Sequence, residues 1–490
     1  MKNTLYQITL LSFFLVVGSV QLWGQGSTSS RITGQVTDGT ESLIGANVVA
    51  VHGPTGFSYG TATNIEGLFT LNNVNVGGPY TITISYTGYQ EQVLENIYLN
   101  LGQTESFDIR LAESAVALEE IIVTAGGLFD GNRTGSETKV SEEAIATLPS
   151  ADRGLNDYLR LTPQADVANN GATNGGGISF TGVNNRFNAI FIDGAVNNDV
   201  FGLANSGTNG GQAGISPISP DALEQIQVVL APYDVTLGGF AGGGINAVTR
   251  SGTNELEGSL YFFNRNENLS GKTPTDIEGA ERTKLAPFTA RTFGGRLGGA
   301  LIKNKLFFFA NVEIQRDELP RPFIQSEYNG DSDANQLNAI RQKLIDDYGY
   351  DPGGFENNPQ TIDGEKILVK FDYNINEKHK LSARHSYVKG TTEIHPAPSA
   401  NRVVFGNVGY IFPSTTNSTA VELKSIFGPN TSNNLIVGFT KVTDDRDILG
   451  DPFPQFELPD GNGRVTIGTC LLYTSPSPRD ATLSRMPSSA

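Results

Sequence analysis

The chain has 490 residues, of which 57 are glycine, 17% are charged and one is cysteine. Glycine therefore makes up about 12% of the chain against about 7% in an average protein, and Phe and Tyr are frequent. This composition argues against an all-helical protein and favours strands separated by Gly-rich turns. The 34 basic and 51 acidic residues give a net charge of -17. That charge argues against a nucleic-acid-binding protein, because phosphate binding needs clustered Lys and Arg.

The first residues predict an export signal. Lys2 precedes an apolar stretch, Leu5 to Leu22, whose uninterrupted apolar core is shorter than the roughly 20 residues that a spanning helix needs. We expect residues 1–24 to be a signal peptide that is cleaved between Gly24 and Ser27. An uncleaved transmembrane anchor is the alternative.

The last 21 residues differ abruptly from the rest of the chain, since they are rich in Ser and Pro and show no periodicity. Codons that spell Cys470 to Asp480 and Ser484 to Ala490 resemble the adapters of short-read sequencing libraries. We expect residues 470–490 to be a sequencing-adapter artefact, with the natural reading frame departing near Thr469. A disordered tail is the alternative. Cys470 is the chain's only cysteine, so the remaining chain is expected to contain no disulfide or thiolate metal site.

Residues 31–112 alternate in the manner of short strands, with turn signals about every ten residues, which predicts a small β-sandwich. The pattern GQVTD, LIGANVVAV, TATNIEGLFTL and YTITISYTGY resembles the carboxypeptidase regulatory-like domain that precedes many outer-membrane receptors. This resemblance places Gly34, Gly45, Gly67 and Gly88 in turns and Tyr89 against the closing strand. It implies a structural domain without catalysis.

Residues 113–127 form a linker with the sequence ESAVALEEIIVTAGG. Its centre combines consecutive β-formers with two acidic residues, and a short extended segment of this kind can add a strand to another protein's sheet. The segment resembles the TonB box of TonB-dependent receptors, over Glu119, Glu120, Ile121, Ile122, Val123, Thr124 and Ala125. An ordinary edge strand has the same pattern.

Residues 128–254 begin with two short predicted helices, VSEEAIATLPS and GLNDYLRLTP, which are followed by strands joined by Gly-rich turns. Their order resembles the plug domain of TonB-dependent receptors. The matching positions are Ile192, Asp193, Gly194, Pro232, Gly243, Gly244, Asn246, Thr249, Arg250 and Gly252. The segment from Ile226 onward resembles the Oar-like branch of the family more than typical siderophore receptors.

The same glycines invite comparison with a dinucleotide-binding loop. Gly242, Gly244 and Ala247 fit the pattern Gly-x-Gly-x-x-Ala, but such a loop must open a helix. The residues that follow, INAVTRSG, are typical of a strand and a turn. We therefore expect no cofactor loop.

Residues 255–469 are predicted to be part of an outer-membrane β-barrel. In EKILVKFDYNI, apolar side chains from Ile367 to Tyr373 share one face and polar ones from Lys366 to Asn374 the other, in a run of about 11 residues. Short and long connections alternate, as the two rims of such a barrel require. About seven to nine strands are recognisable, whereas barrels of the resembling family close with 22 strands. The barrel is therefore expected to be incomplete.

No catalytic constellation is recognisable. The four histidines begin no His-x-x-Glu or His-x-x-x-His pattern, and no Gly-x-Ser-x-Gly elbow occurs. A calcium loop at Asp444, Asp445, Asp447 and Asp451 is disfavoured, because the EF-hand glycine and terminal glutamate are missing. We expect neither an enzyme nor a cofactor or metal site.

The expected fold is mainly β, with an N-terminal β-sandwich, a mixed α/β plug and the first part of an antiparallel transmembrane barrel. The resemblance implies an Oar-like TonB-dependent outer-membrane receptor or transporter, with its N-terminal domain in the periplasm. Its implied partners are a TonB-type periplasmic energising protein, outer-membrane lipid and an extracellular substrate of unknown chemistry. The alternatives are a non-transporting surface or adhesion protein anchored by the barrel, and a secreted β-sandwich adhesin.

Overall fold

The computed structural model describes residues 26–113, 136–150, 153–167, 177–232, 237–273, 281–282, 284–428 and 431–469. The expected signal peptide, the TonB-box-like segment Glu119 to Ala125 and the tail from Cys470 lie outside the described residues. The described chain forms three structural parts in sequence order.

The first part is a β-sandwich of two sheets. Its strands are β1 (Ser30–Thr37), β2 (Asn47–His52), β3 (Ser58–Ala62), β4 (Leu68–Val74), β5 (Gly77–Ser85), β6 (Gln92–Leu99) and β7 (Thr104–Arg110). One sheet has the order β4-β1-β7 and the other the order β3-β2-β5-β6. Buried side chains alternate along most strands, with a shift of one residue at Asn73 in β4 and Asn96 in β6. The two inner faces form one apolar core that includes Ile32, Val48 and Ile82.

The sandwich glycines only partly follow the prediction. Gly45, Gly67 and Gly88 lie in turns with positive φ angles of 79°, 70° and 92°. Gly34 is not in a turn, because it lies in the middle of β1, between β4 and β7. A Cβ atom there would lie 2.2 Å from the carbonyl oxygen of Phe107. Close packing between strands therefore explains this glycine.

The second part is a small mixed sheet with two short helices. Its elements are β8 (Glu137–Val140), α1 (Glu142–Thr147), α2 (Leu155–Leu159), β9 (Ala165–Val167), β10 (Ile178–Phe180), β11 (Ala189–Ile192), β12 (Ala195–Val196), β13 (Leu223–Val229) and β14 (Gly244–Thr249). The main sheet has the order β12-β11-β14-β13-β8, and β9 pairs with β10. Every residue of the central strand β14 is buried.

The third part is an open antiparallel sheet of long strands, whose order is β15-β16-β17-β18-β19-β21-β22. The strands are β15 (Glu257–Asn266), β16 (Thr289–Ile302), β17 (Leu306–Leu319), β18 (Gln360–Asn376), β19 (His379–Ile394), β21 (Tyr410–Gly428) and β22 (Thr431–Asp444). Two or three residues separate the strands at one end, whereas the connections at the other end, 267–288, 320–359 and 395–409, are long. This matches the predicted alternation of the two rims.

The two faces of this wall differ as expected. In β18, Ile367 and Phe371 are 43% and 45% exposed on the outer face, whereas Lys366, Lys370 and Asp372 are buried on the inner face. The strands are longer than predicted. β18 has 17 residues, or about 56 Å along the strand at about 3.3 Å per residue. At a tilt of about 35–45° this corresponds to a height of about 40–46 Å, against an apolar band of about 25 Å. They therefore extend well beyond the hydrocarbon layer.

The long connections fold together into a structured layer. The sequence predicts them only as long connections on one rim of the barrel. The connections 320–359 and 395–409 contain α3 (Ala334–Tyr348) and β20 (Arg402–Val404), and the segment 445–469 that follows β22 adds β23 (Asp447–Ile448), β24 (Phe456–Asp460) and β25 (Gly463–Ile467). Helix α3 starts with a capping box at Asp333 and ends at Gly349 in the left-handed conformation. Its buried Leu337 and Leu344 pack with Phe405 and Val465 in a separate apolar core.

Candidate functional site

A tight turn places one carboxylate of the second domain against the barrel wall. Ile192 ends β11, and Asp193 and Gly194 connect it to β12, in which Ala195 pairs with Ile192. Asp193 and Gly194 have φ angles of 47° and 74°. A two-residue hairpin turn with two positive φ angles suits an Asp-Gly pair. The turn therefore explains the motif and fixes the position of the Asp193 carboxylate.

Asp193 joins the domain to two wall strands. Its Oδ1 accepts from the Thr249 backbone N–H at 2.9 Å, and its Oδ2 accepts from the Thr249 hydroxyl at 2.7 Å. Arg384 Nε lies 2.9 Å from Oδ2, and Lys370 Nζ lies 3.9 Å from Oδ1. Lys370 and Arg384 are direct cross-strand partners. Two like charges in such a position repel each other, and Asp193 compensates them.

The same cations also bind the backbone of the second domain. Lys370 Nζ donates to the Thr249 carbonyl at 2.8 Å, and Arg384 Nη2 donates to the Ile192 carbonyl at 3.3 Å. The side chains of Arg384, Lys370 and Asp193 are 3%, 8% and 12% exposed. We call Asp193, Thr249, Lys370 and Arg384 the Asp193 cluster.

A second polar contact lies around Glu313 of β17, whose side chain is 1% exposed. Glu313 pairs with its cross-strand neighbour Lys366 at 2.8 Å and accepts from the hydroxyls of Ser219 and Tyr261 at 2.8 and 2.9 Å. Arg153 Nη2 lies 3.6 Å from Oε2 of Glu313. The second domain is thus attached to the wall by ionic and hydrogen-bonded contacts in two places.

Close packing against backbone or aromatic rings explains three of the predicted glycines. A Cβ atom at Gly252 would lie 2.3 Å from the Phe308 carbonyl oxygen and 2.6 Å from that of Gly299, both in the wall. Cβ atoms at Gly243 and Gly244 would each lie 2.5 Å from an aromatic ring, of Phe180 and Phe240 respectively. Only glycine fits such approaches without displacement of a neighbour.

The structure divides the predicted motif between two ends of the sheet. β11 runs parallel to β14, so Asp193 and Thr249 lie at the same end, followed by Arg250, which pairs with Glu142. Asn246 lies mid-strand and donates to Gln227 at 3.1 Å. The opposite end holds Gly243 and Gly244, and Pro232 follows β13 on that side. The ten motif residues therefore do not form one compact site.

A cavity of about 680 Å³, which we call the chamber, lies among the three structural parts at the short-turn end of the wall. The sandwich borders it with His52 and Asn75, the second domain with Glu224, and the wall with Lys370 and Lys380. The charged lining distinguishes it from an ordinary packing defect, which is apolar.

The sandwich docks on the second domain beside the chamber through hydrogen bonds of Gln225 and Lys139 and through a small apolar cluster. Lys139 Nζ donates to Gln103 Oε1 at 3.4 Å. Gln225 Oε1 accepts from the Leu101 backbone N–H at 2.9 Å, and Gln225 Nε2 donates to the Leu99 carbonyl at 3.3 Å. Leu101 also packs with Val76 and Val248. This contact closes one side of the chamber.

Burial changes the pKa values of two chamber residues. It raises the pKa of the Glu224 carboxyl to about 7. It lowers the pKa of His52 to about 3, assisted by the positive charge of Lys380. The His52 ring stays neutral at physiological pH, whereas Glu224 titrates near neutrality and responds to a nearby cation.

Other site types receive no support from the described residues. Gly244 to Thr249 form the strand β14 and do not open a helix, which agrees with the strand-like pattern INAVTRSG. In the part of the chain that the structure describes, no three His, Cys, Asp or Glu side chains are grouped to hold a metal ion. Among the same residues, no helix is both long and apolar enough to cross a membrane.

Sequence reasoning missed several attachment residues. It placed Lys366 and Lys370 on the polar face of a predicted barrel strand but identified none of their partners. Arg153, Ser219 and Glu313 were not singled out at all. The available signal was the presence of charged residues at inward-facing positions of alternating strands, which require compensation once buried.

Comparison with protein families identifies the three parts. The carboxypeptidase regulatory-like domain matches residues 31–112, the TonB-dependent receptor plug domain matches residues 131–245, and the outer membrane β-barrel domain matches residues 248–352 and 328–467. The chain belongs to the TonB-dependent receptor family. The predicted family and the mainly β fold are confirmed, and the receptor is a protein of the Gram-negative outer membrane.

Two curated relatives belong to the same family. The receptor is 27% identical over 401 residues to the TonB-dependent transporter Oar of Myxococcus xanthus, and this match covers 75% of this chain and 34% of that protein. It is 29% identical over 157 residues to the probable TonB-dependent siderophore receptor PirA of Acinetobacter baumannii, and this match covers 30% of this chain and 20% of that protein. The receptor chain thus spans about a third of the Myxococcus relative.

Among solved structures, the outer membrane transporter YddB from Escherichia coli matches with 16% identity and a TM-score of 0.47, over 68% of this chain and 43% of that one. The siderophore receptor PirA from Pseudomonas aeruginosa matches with 13% identity and a TM-score of 0.41, over 64% of this chain and 42% of that one. The family consists of transporters and receptors rather than enzymes.

Proposed function

We propose that the receptor binds an extracellular substrate and imports it across the outer membrane with energy from a TonB-type periplasmic protein. The observation that carries this proposal is the polar attachment of the plug to the wall. The Asp193 cluster and the Glu313 contact consist of charged and hydrogen-bonded groups. Such groups can exchange their partners for water when the plug moves. The plug also packs Ala213 and Ile215 against an apolar patch of the wall, and separating that patch exposes area at about 25 cal/mol per Å².

The position of the linker suggests how force reaches the plug. Glu119 to Ala125 lie in the chain between the end of the sandwich at β7 and the start of the plug at β8. β8 is an edge strand, held to β13 by four residue pairs from Ile226–Val140 to Val229–Glu137. A pull on the linker therefore acts first on an edge strand, which is paired along only one side. The energising protein would pair edge-to-edge with the linker through backbone groups.

The test uses two variants of the same linker residue in the full-length protein. Ile122→Pro removes a backbone N–H and restricts the preceding residue, so it disrupts strand addition. Ile122→Ala retains the backbone donor. We expect Ile122→Pro to abolish energised uptake with near-normal outer-membrane abundance and substrate binding, and Ile122→Ala to be only partly defective.

The measurement compares the depletion of components from spent culture medium, by mass spectrometry, between cells with and without the receptor. Each variant is tested with and without a protonophore, and binding to intact cells is measured in parallel. If Ile122→Pro cells accumulate the same components as fast as wild type, the linker is an ordinary connection. The receptor would then be better described as a surface protein anchored by its barrel.

A further inference from the structure

The chamber has the size and position of a ligand site on the periplasmic side of the plug. Its volume of about 680 Å³ lies within the range of about 300–1,000 Å³ that is usual for small-molecule sites. It lies at the short-turn end of the wall, which faces the periplasm in outer-membrane barrels. The sandwich, the plug and the wall each contribute polar side chains to it.

Most charges around the chamber are compensated within the protein. Lys370 and Arg384 contact Asp193, and Arg250 pairs with Glu142. In the wall, Lys424 Nζ donates to the Thr28 carbonyl at 3.1 Å and lies 3.5 Å from a carboxylate oxygen of Glu422. These cations need no ligand.

Lys380 is different. Its side chain borders the chamber, it is 6% exposed, and it lies directly opposite Lys424 in the sheet. Within the described ranges it makes no hydrogen bond and no ion pair shorter than 4.0 Å. The nearby Asp372 is bound through Oδ1 by the Ser382 hydroxyl at 2.5 Å, and its Oδ2 is buried without a hydrogen bond. The carboxylates of Asp372 and Glu422 attract this ammonium group only from beyond 4.0 Å. A buried ammonium group without a direct partner is costly, so this position favours an anionic ligand group.

Glu224 offers the opposite charge from the plug side. It is half-buried, borders the same chamber and likewise forms no hydrogen bond or ion pair with the described part of the chain. Its Oε1 lies against the sandwich, where a Cβ atom at Gly77 would be only 2.6 Å away. Glu143 and Glu257 also border the chamber, but their side chains are exposed to water. Glu224 is therefore the carboxylate best placed for a ligand cation.

We propose that the chamber binds a zwitterionic ligand of the amino-acid or short-peptide class, with its carboxylate on Lys380 and its ammonium group on Glu224. The proposal rests on the proposed function only for the direction of transit, in which the chamber is the last binding site before the periplasm. The chemistry of the site itself follows from two oppositely charged groups that border one cavity, neither of which has a direct hydrogen-bond or ion-pair partner among the described residues.

The test measures binding of trialanine to the detergent-solubilised full-length receptor by calorimetry. Three blocked forms separate the two charges: N-acetyl-trialanine carries only the carboxylate, trialanine amide only the ammonium group, and N-acetyl-trialanine amide neither. We expect trialanine to bind and each singly blocked form to bind at least about 10-fold more weakly, because a buried charge loses its partner.

Two variants assign the charges. Lys380→Gln should abolish the preference for a free carboxylate while retaining the preference for a free ammonium group, and Glu224→Gln should do the reverse. Lys378→Gln and Glu255→Gln, at exposed positions nearby, are the controls and should bind like the wild type. Retained heat-modifiable migration in gels shows that each variant is folded.

The proposal is overturned if trialanine does not bind at millimolar concentration, or if blocking either end leaves affinity unchanged. It is also overturned if the two variants do not alter the matching preference. If trialanine binding fails these tests while Ile122→Pro loses energised uptake as expected, the ligand class is rejected and the transport proposal stays intact. The reverse pattern would reject energised transport and leave the binding site.

Discussion

Asp193→Asn tests whether the Asp193 cluster holds the plug in the barrel. Asparagine has nearly the same shape and tolerates the left-handed conformation of the turn, so the hairpin between β11 and β12 should persist. It can also still accept from the Thr249 backbone N–H. What disappears is the negative charge beside Lys370 and Arg384, which are almost completely buried.

The magnitude follows from the burial of the two cations. Removing one partner of a buried ion pair costs about 3–5 kcal/mol, because a charge is left uncompensated. At about 1.4 kcal/mol for each factor of ten, local opening should become between about 100-fold and a few thousand-fold more frequent. Amide hydrogen exchange in β14 reports this opening, since β14 lies in the centre of the plug sheet.

The assay is hydrogen exchange with mass spectrometry on the full-length receptor. Asp166→Asn, an exposed plug position, is the matched control and should leave protection of β14 unchanged. Adding Arg384→Gln to Asp193→Asn removes one uncompensated cation and should restore part of the protection. Wild-type protection of β14 in Asp193→Asn would refute the argument that this cluster holds the plug.

Three further predictions concern each structural part in turn. The folded state keeps His52 neutral, with a pKa of about 3 against about 6.5 when unfolded, so sandwich stability is complete above pH 6.5 and decreases as pH falls. The loss at pH 5 is about 2 kcal/mol. It should be measurable by hydrogen exchange of β2 and absent in His52→Gln. Gly252→Ala should displace the plug from the wall, because the alanine Cβ would meet two wall carbonyl groups. The accessibility of a Ser251→Cys reporter to maleimide should therefore rise, and unchanged labelling would contradict this contact. Phe371→Arg on the outer face should cost about 2–4 kcal/mol near the bilayer midplane, whereas Phe371→Leu should cost much less; equal assembly of both into the outer membrane would show that the assigned faces are wrong.

The structure also changes which substitutions serve as controls. From the sequence alone, Lys370→Gln on the inner face of the barrel is expected to cost much less than a charge placed at Phe371 on the outer face. In the structure, Lys370 contacts both the Thr249 carbonyl and Asp193. Its replacement should therefore weaken the attachment of the plug.

Local patterns in the sequence determined much of this fold. Strand alternation has a period of two residues, so the inner position of Lys370 and the outer position of Phe371 follow directly from their neighbours. The Asp193-Gly194 turn is equally local, because the positive φ angles of two adjacent residues suit that dipeptide. The predicted domain order needs only such short-range signals and the family resemblance.

Tertiary structure decided which distant groups meet. Arg384 donates to the Ile192 carbonyl across 192 positions of sequence, and no periodicity links the two. The apolar core that joins Leu337 to Val465 likewise depends on how separate long connections fold over one another. Lys380 and Glu224 share a chamber only because the sandwich docks against the plug and the wall. Charge compensation and close packing act between surfaces, and the sequence alone does not show which surfaces face each other.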